Sequence, residues 1–292
     1  MENTSLNENK KTAAIQGGLG AFHEIAAREY FKNDVEVVPC ETFDNIIEKV
    51  EKCEVDYGIM AIENTVAGSL MPNYVLLRES NIKIIGEQYI RIKQNLVALP
   101  GQRIEDLTEV HSHYMAIAQS RKFFKEYPNV KLVESTDTAL SARKIHDKKL
   151  VGKGAIASDL AAKMYELEIL AAGIETNKRN YTRFLILEHA DKEGNKKEDC
   201  SKVSLCFSVP HNKGSLSQVL SIMAFYDLNL TKIQSMPIIG KEFKYHIYVD
   251  LSFDNYERYE QCLTAIKPLV VDFKILGEYK YGIESLGTIH HQ

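Results

Sequence analysis

Ala13-Ala14-Ile15-Gln16 is a short apolar run, Gly17-Gly18-Leu19-Gly20-Ala21 interrupts it, and a helical pattern begins at Phe22 and reaches about Phe31. Strand, glycine turn and helix in that order make half of a β-α-β unit. The order then recurs. Val35–Pro39 precedes a helix over Phe43–Lys52, and Tyr57–Ile62 precedes one over Ser69–Glu79. Ile82–Tyr89, Gln94–Leu99, Val110–His111 and Lys131–Glu134 read as further strands, with helices over Tyr114–Tyr127, Ala139–Lys148 and Leu160–Tyr165. Strands alternating with helices predict an α/β fold, a largely parallel sheet covered on both faces. Some 180 residues of this pattern exceed the ~100–150 of an ordinary compact unit, so two lobes are expected.

Composition narrows the class. The 292 residues are 45% hydrophobic and 26% charged, the balance of a globular protein. Lysine and arginine total 36 against 40 acids, a net charge of -4, which argues against a nucleic-acid partner. Mean hydropathy is -0.24, and no apolar run approaches the roughly 18 residues that span a bilayer, so no membrane association is expected. Met1 to Lys11 lack the apolar stretch of a signal peptide. Cys40, Cys53, Cys200, Cys206 and Cys262 form no CxxC pair, which reads as reduced thiols in a cytoplasmic protein. The nine histidines form no metal spacing, and no metal site is expected.

Glu188 to Lys202 (EHADKEGNKKEDCSK) carries almost no large apolar side chain and reads as an exposed linker. Beyond it the pattern changes. Val203, Leu205, Phe207 and Val209 alternate with Ser204, Cys206 and Ser208, the period of a half-buried strand. Leu216, Val219, Leu220 and Met223 recur at helical spacing, and Leu230–Met236 is a strand ended by Pro237. Phe243 to Leu251 alternate again, Tyr256 to Val271 form a second amphipathic helix, and Phe273–Tyr279 a last strand. The order β-α-β-β-α-β is the split ferredoxin-like arrangement.

Small polar residues gather where strands become helices. Glu63-Asn64-Thr65 with Ser69, Ser112-His113, Glu134 to Thr138, and Ser158-Asp159 stand at such junctions, as does the turn at Gly20. In an open sheet these junctions share the carboxyl edge of the strands, and several helix N-termini there favour an anion. Each residue also has a plain reading as a helix cap. The glycine turn is not GxGxxG and no Lys-Ser/Thr follows it, so nucleotide binding is not expected. Glu63 is suited either to capping or to acid–base work. His23 and His113 read as caps or surface groups. Asn180-Tyr181-Thr182-Arg183-Phe184 leads into the apolar Leu185-Ile186-Leu187 and places a hydroxyl and a guanidinium at a sheet end. Arginine is the natural bidentate partner of a carboxylate, either a ligand's or a structural one.

These motifs, in chain order, resemble the prephenate dehydratase family. The glycine turn with Phe22 and Glu24-Ile25-Ala26-Ala27 is similar to its first signature, and Ile62-Glu63-Asn64-Thr65-Val66-Ala67-Gly68-Ser69 to its I-E-N-S-x-x-G-S segment. Ser112-His113 with Ala118-Gln119, Ala155-Ile156-Ala157-Ser158 and Asn180-x-Thr182-Arg183-Phe184 continue the match. The C-terminal unit is similar to an ACT domain. The resemblance covers residues 13 to 280.

It implies a catalytic domain over 1–190 resembling a type 2 periplasmic binding protein. One lobe would be about 1–90 with 176–190 and the other about 91–175. A linker over 191–201, an ACT domain over 202–280 and a tail over 281–292 would follow. The implied reaction converts prephenate to phenylpyruvate with loss of water and carbon dioxide, without a cofactor because aromatisation drives it. Thr182, Arg183 and Glu63 are the implied catalytic residues, Thr182 facing the leaving hydroxyl and Arg183 the pyruvyl carboxylate. Gly20, Asn64, Thr65, Ser69, Ser112, His113, Ser158, Asn180 and Phe184 would line the substrate. L-phenylalanine would bind as effector between Gly214-Ser215-Leu216 and Gln234-Ser235-Met236-Pro237 across a homodimer or homotetramer. The chain departs from the family at Ala21, His23 and Ala67 around the cleft, at Ser215, and at Gln234 and Met236, where both charges of an E-S-R-P signature are lost. Arogenate in place of prephenate, an inactive small-anion sensor, or a regulatory module of another enzyme are the alternatives.

Overall fold

The computed structural model describes residues 10–282, so Met1 to Asn9 of the expected N-terminal stretch and most of the expected tail lie outside the described residues. Three sheets organise the chain. The first contains β1 (Lys11–Gln16), β2 (Val35–Cys40), β3 (Tyr57–Asn64), β5 (Ile82–Arg91) and β11 (Tyr181–His189) in the order β2-β1-β3-β11-β5, with the two-residue β4 (Gly68–Ser69) paired to β3. Helices α1 (Phe22–Tyr30), α2 (Phe43–Glu51) and α3 (Met71–Glu79) follow β1, β2 and β4. The second sheet runs β10-β6-β9-β7-β8, built from β6 (Asn95–Ala98), β7 (Glu109–His113), β8 (Lys131–Ser135), β9 (Lys153–Ala157) and β10 (Glu168–Ala171). Helices α4 (Tyr114–Phe124), α5 (Thr138–Asp147) and α6 (Asp159–Met164) belong to it. The chain thus leaves the first lobe after β5 and returns to it at β11.

Strand pairing is parallel where a helix intervenes, as for β1 with β2 and β3, and β7 with β8 and β9. The returning β11 runs antiparallel between β3 and β5, and β6 antiparallel to β9, so both sheets are mixed. Side-chain caps fix the helix starts. Thr42 closes a capping box on α2, Asp137 accepts from Leu140 N on α5, and Ser158 from Ala161 N on α6.

The third sheet is antiparallel. It holds β12 (Lys202–Ser208), β13 (Asn229–Pro237), β14 (Tyr245–Ser252) and β15 (Val271–Tyr279) in the order β13-β14-β12-β15. Helices α7 (Ser215–Phe225) and α8 (Tyr256–Ile266) connect the strands in the ferredoxin-like order and pack on each other. Val203, Leu205 and Phe207 join α7 and α8 in one core on that side of the sheet.

The other side of this sheet is not solvated. Cys206, Tyr248, Leu276 and Tyr279 share a single apolar cluster with Met60, Tyr74, Ile84 and Leu185 of the first lobe. Two expectations are corrected by this docking. Every residue of β12 is buried, so the alternation read as a half-buried strand is a strand covered on both faces, its serines and cysteine turned to the first lobe. The segment read as an exposed linker is partly structural. Glu188 still belongs to β11, Lys197–Asp199 form a 3-10 turn, and Cys200 and Lys202 are buried. Only its polar middle, 191–199, is exposed throughout.

The docking is close at Gly277, where an added Cβ would lie 2.1 Å from the Ile84 carbonyl oxygen and 2.6 Å from its Cβ. Backbone cannot yield there without moving β15 away from β5. Gly277→Ala is therefore expected to cost roughly 1–3 kcal/mol of stability in urea unfolding, the range of overpacked cores. An unchanged midpoint would mean that the two sheets do not pack as described.

Candidate active site

The carboxyl ends of the parallel strands in the two lobes face one another, and the first glycine turn reaches across. Gly20 is held at φ +89°, where a Cβ would meet Ala161 Cα at 2.8 Å, so glycine is required there on both counts. Ser158 Oγ donates to Gly20 O at 2.6 Å while accepting from Ala161 N at 3.0 Å, and Tyr165 Oη donates to Leu19 O at 2.8 Å. Glu24, fully buried, accepts from Gly20 N at 2.7 Å and pairs with Arg28.

Beside this turn lies a group of buried amides around one hydroxyl. Asn64 Oδ1 accepts from Val66 N at 2.9 Å and from Ala67 N at 2.8 Å, which fixes the orientation of its side chain. Asn64 Nδ2 then donates to Asn180 Oδ1 at 2.8 Å, Thr182 Oγ1 at 2.9 Å and Tyr181 O at 3.2 Å. Asn180 Nδ2 in turn donates to Gln119 Oε1 of α4 at 2.8 Å, tying the first lobe to the second. Thr65 Oγ1 donates to Arg179 O and accepts from Tyr181 N, both at 2.9 Å, and so holds the start of β11. Thr182 Oγ1 is placed as an acceptor, which leaves its own proton for a donated hydrogen bond. Accepting from Asn64 polarises the hydroxyl and strengthens it as a donor.

His23 sits behind this group, its ring edge-on to Phe184 with centroids 4.8 Å apart. Its Nε2 is enclosed without a partner, and burial lowers its pKa to about 3, so the ring is neutral. His113 caps α4 through Met115 N at 3.4 Å, and burial likewise lowers its pKa despite the opposing Asp137 and Glu134. The α1 helix starts at Ala21 without a side-chain cap, so an electropositive helix end faces the junction.

Other expected site residues lie elsewhere. Strand alternation turns Thr182 and Arg183 to opposite faces of the first sheet. Arg183 is 5% exposed and points at the third sheet, so the expectation that it grips a substrate carboxylate does not hold. Its Nε donates to Glu87 Oε2 at 2.6 Å, Nη1 to Asp250 Oδ2, and Nη2 to Tyr279 Oη at 2.9 Å. Lys202 Nζ joins Glu87 at 2.9 and 3.0 Å, and Ser204 Oγ donates to Asp250 Oδ1 at 2.6 Å. Burial pulls the guanidinium pKa down, yet Asp250 and Glu87 hold it well above its usual value. Burial also opposes ionisation of Asp250, but Arg183 and Lys202 keep its pKa below the usual range. This stabilisation is complete above the ordinary carboxylate pKa and is lost as pH falls through the lowered one.

Glu63 shares that face. Its carboxylate meets Lys232 of β13 at 2.8 Å, and Ser69 Oγ accepts from the same ammonium at 2.9 Å, so neither lines the junction as expected. Ser112 is wholly buried, donating to Ile156 O at 2.8 Å between β7 and β9, and Phe184 is a core side chain. Both are expected to line the substrate, but the structure encloses both side chains within the lobes. In the third sheet Gly214 takes φ +84° to start α7, and Met236 packs against the cluster shared with the first lobe.

The sequence model of the prephenate dehydratase family matches residues 13–192. The bifunctional chorismate mutase/prephenate dehydratase of Aquifex aeolicus is 34% identical over 275 residues, covering 93% of this chain and 74% of that protein. Arogenate dehydratase 2 of Petunia hybrida is 34% identical over 295 residues, covering 96% and 74%. The chain belongs to the prephenate dehydratase family. A crystal structure of prephenate dehydratase from Arthrobacter aurescens in complex with L-Phe superposes with a TM-score of 0.83 at 26% identity, covering 94% of this chain and 91% of that one.

Two residues of this family member were absent from the candidate set, Gln119 and Glu24. Both stand in the signature segments quoted above, so a signal existed. What the sequence lacks is the knowledge that one tethers Asn180 across the lobes and the other receives the Gly20 amide. For Arg183 the outcome is a test of stability as much as of turnover. Arg183→Met leaves Asp250 a buried carboxylate without its ion-pair partner, while Glu87 keeps Lys202, and is expected to cost about 3–5 kcal/mol in urea unfolding. A variant as stable as the parent would return Arg183 to the junction.

Proposed function

We propose that this chain converts prephenate to phenylpyruvate, water and carbon dioxide, and that the hydroxyl of Thr182 assists departure of the ring hydroxyl. The observation that carries this reading is the Asn64–Thr182 hydrogen bond, which commits the threonine oxygen as acceptor and leaves its proton to donate. In the reaction the ring C–O bond breaks and its electron pair leaves with oxygen, which gains a proton to become water. The bond to the ring carboxylate breaks at the same time. Its electron pair enters the ring, which becomes aromatic, and carbon dioxide departs. A donor at the leaving oxygen stabilises charge that develops only in the transition state. A tight grip on the ring carboxylate would oppose the loss of its charge. The junction suits this, because its positive character comes from helix starts and not from Arg183.

Several finer readings accompany the main one. The ferredoxin-like unit is read as an ACT domain that binds L-phenylalanine as feedback effector, as the complex of the Arthrobacter protein supports. The edge strand β13 exposes Leu230 and Ile233, which supports pairing with a second copy into a homodimer or homotetramer. Five unpaired cysteines support a cytoplasmic setting. No helix among the described residues is long and apolar enough to cross a membrane.

The test is phenylpyruvate formation by the purified chain, with arogenate and added phenylalanine as further arms. Thr182→Val keeps the shape and removes the hydroxyl. It is expected to lower kcat by about 10²–10⁴, the usual worth of a positioned proton donor, with a smaller change in KM. Turnover near that of the parent would remove Thr182 from the mechanism. Turnover of arogenate alone would reassign the substrate, and refusal of both substrates would favour an anion sensor.

A further inference from the structure

Residues opposite one another across the strands form two facing ranks between the first and third sheets. On the first sheet Glu63, Arg183 and Tyr89 stand in register on β3, β11 and β5. On the third, Lys232, Asp250 and Ser204 stand in register on β13, β14 and β12. The charges interlock, Lys232 meeting Glu63 and Asp250 meeting Arg183.

The Lys232 end of this arrangement touches the machinery of the junction. Its ammonium lies 2.8 Å from Glu63 Oε2, 2.9 Å from Ser69 Oγ and 5.7 Å from the centre of the Tyr74 ring. Glu63 and Ser69 are partners in the β3–β4 pairing, and the next rung joins Asn64 to Gly68. One cation therefore grips both arms of a tight turn. Within the first lobe, β11 also holds the turn at Thr65, whose N–H donates to Tyr181 O at 2.9 Å and whose Oγ1 bonds the Arg179 and Tyr181 main chain. From the third sheet it is Lys232 that spans both arms. Thr65, Val66, Ala67 and Gly68 are exposed, and a Cβ at Gly68 would meet nothing within 4 Å. The turn is cinched from inside by Asn64 Oδ1 on the Val66 and Ala67 amides, and the same side chain holds Thr182.

We infer that Lys232 is a positioning residue: by clamping Glu63 and Ser69 it fixes the turn that orients Asn64, and thereby the Thr182 hydroxyl. The inference rests on the proposed reaction for its kinetic readout only. It makes the third sheet a supplier of catalytic geometry through the back of β3.

The experiment compares Lys232→Met, Lys232→Arg and Lys274→Met in the full chain. Lys274 is a second lysine at the same docking surface, donating to the Arg78 carbonyl at 2.7 Å and the Ser80 carbonyl at 2.8 Å, remote from the turn. Lys232→Met is expected to lower kcat roughly tenfold or more at nearly constant KM, as small misplacements do. It is also expected to speed hydrogen exchange at the Val66 and Ala67 amides. Lys232→Arg, which keeps charge and donors, restores most of both, and Lys274→Met alters stability alone. A parental kcat with parental exchange in Lys232→Met overturns the inference, and so do equal effects from Lys274→Met. Were Lys232→Met not to fold, loss of both readouts in a folded Lys232→Arg would overturn it, and their retention would support it. If the parent chain does not turn over prephenate, the proposed reaction fails by itself, and exchange at Val66 and Ala67 decides the role of Lys232.

Discussion

A buried, electrically balanced group of ions holds two sheets together, and the rest of the molecule is arranged around it. Arg183 and Lys202 supply two positive charges, and Glu87 and Asp250 two negative ones, all almost wholly removed from water. Taking four charges from solvent costs several kcal/mol each, and the cost is offset only where pairing and hydrogen bonding are complete. Here Glu87, Asp250 and Tyr279 each take one of the three guanidinium nitrogens, and Ser204 Oγ joins Asp250 to Tyr279. Such a group tolerates little displacement. It fixes the register of the third sheet on the first more sharply than the surrounding apolar cluster does.

The constraint gives β11 its double role. Successive side chains of a strand point to opposite faces, so Thr182 and Arg183, one peptide apart, serve different tasks. Thr182 joins the amide group at the lobe junction, and Arg183 anchors the C-terminal unit. Glu63 and Asn64 repeat this division on β3, with Glu63 facing Lys232 and Asn64 facing Thr182. Both strands that carry the junction chemistry are therefore held from behind by a unit distant in sequence. A movement in that unit has two rigid strands through which to be felt.

Periodicity made most of the architecture legible. The helices read from the sequence overlap those of the structure, and Val203, Leu205 and Phe207 do line the core of the ferredoxin-like unit. What periodicity cannot express is docking between units. Ser204, Cys206 and Ser208 read as a solvated face because small polar side chains commonly are one, and only the opposing sheet buries them. The short β4 and β10 were missed for want of alternation, Gly68–Ser69 offering only two residues. In the site, the hydroxyl and amide residues of the signatures were found, but their facing was not. Arg183 and Glu63 look like chemistry in a motif because they are charged and stand beside Thr182 and Asn64. The motif does not state that a charged partner approaches from the far side, since Asp250 and Lys232 lie far along the chain in segments without a comparable signal.

The central claim is that the ion group makes the first lobe and the C-terminal unit a single cooperative body. Residue-resolved native-state hydrogen exchange on the full chain, followed through sub-denaturing urea, tests it most directly. Core amides of β11, such as Ile186, and of β14, such as Val249, are expected to open with one common free energy and one common urea dependence. Exchange of the β14 amides through a separate, lower-energy opening, with β11 still protected, would contradict it.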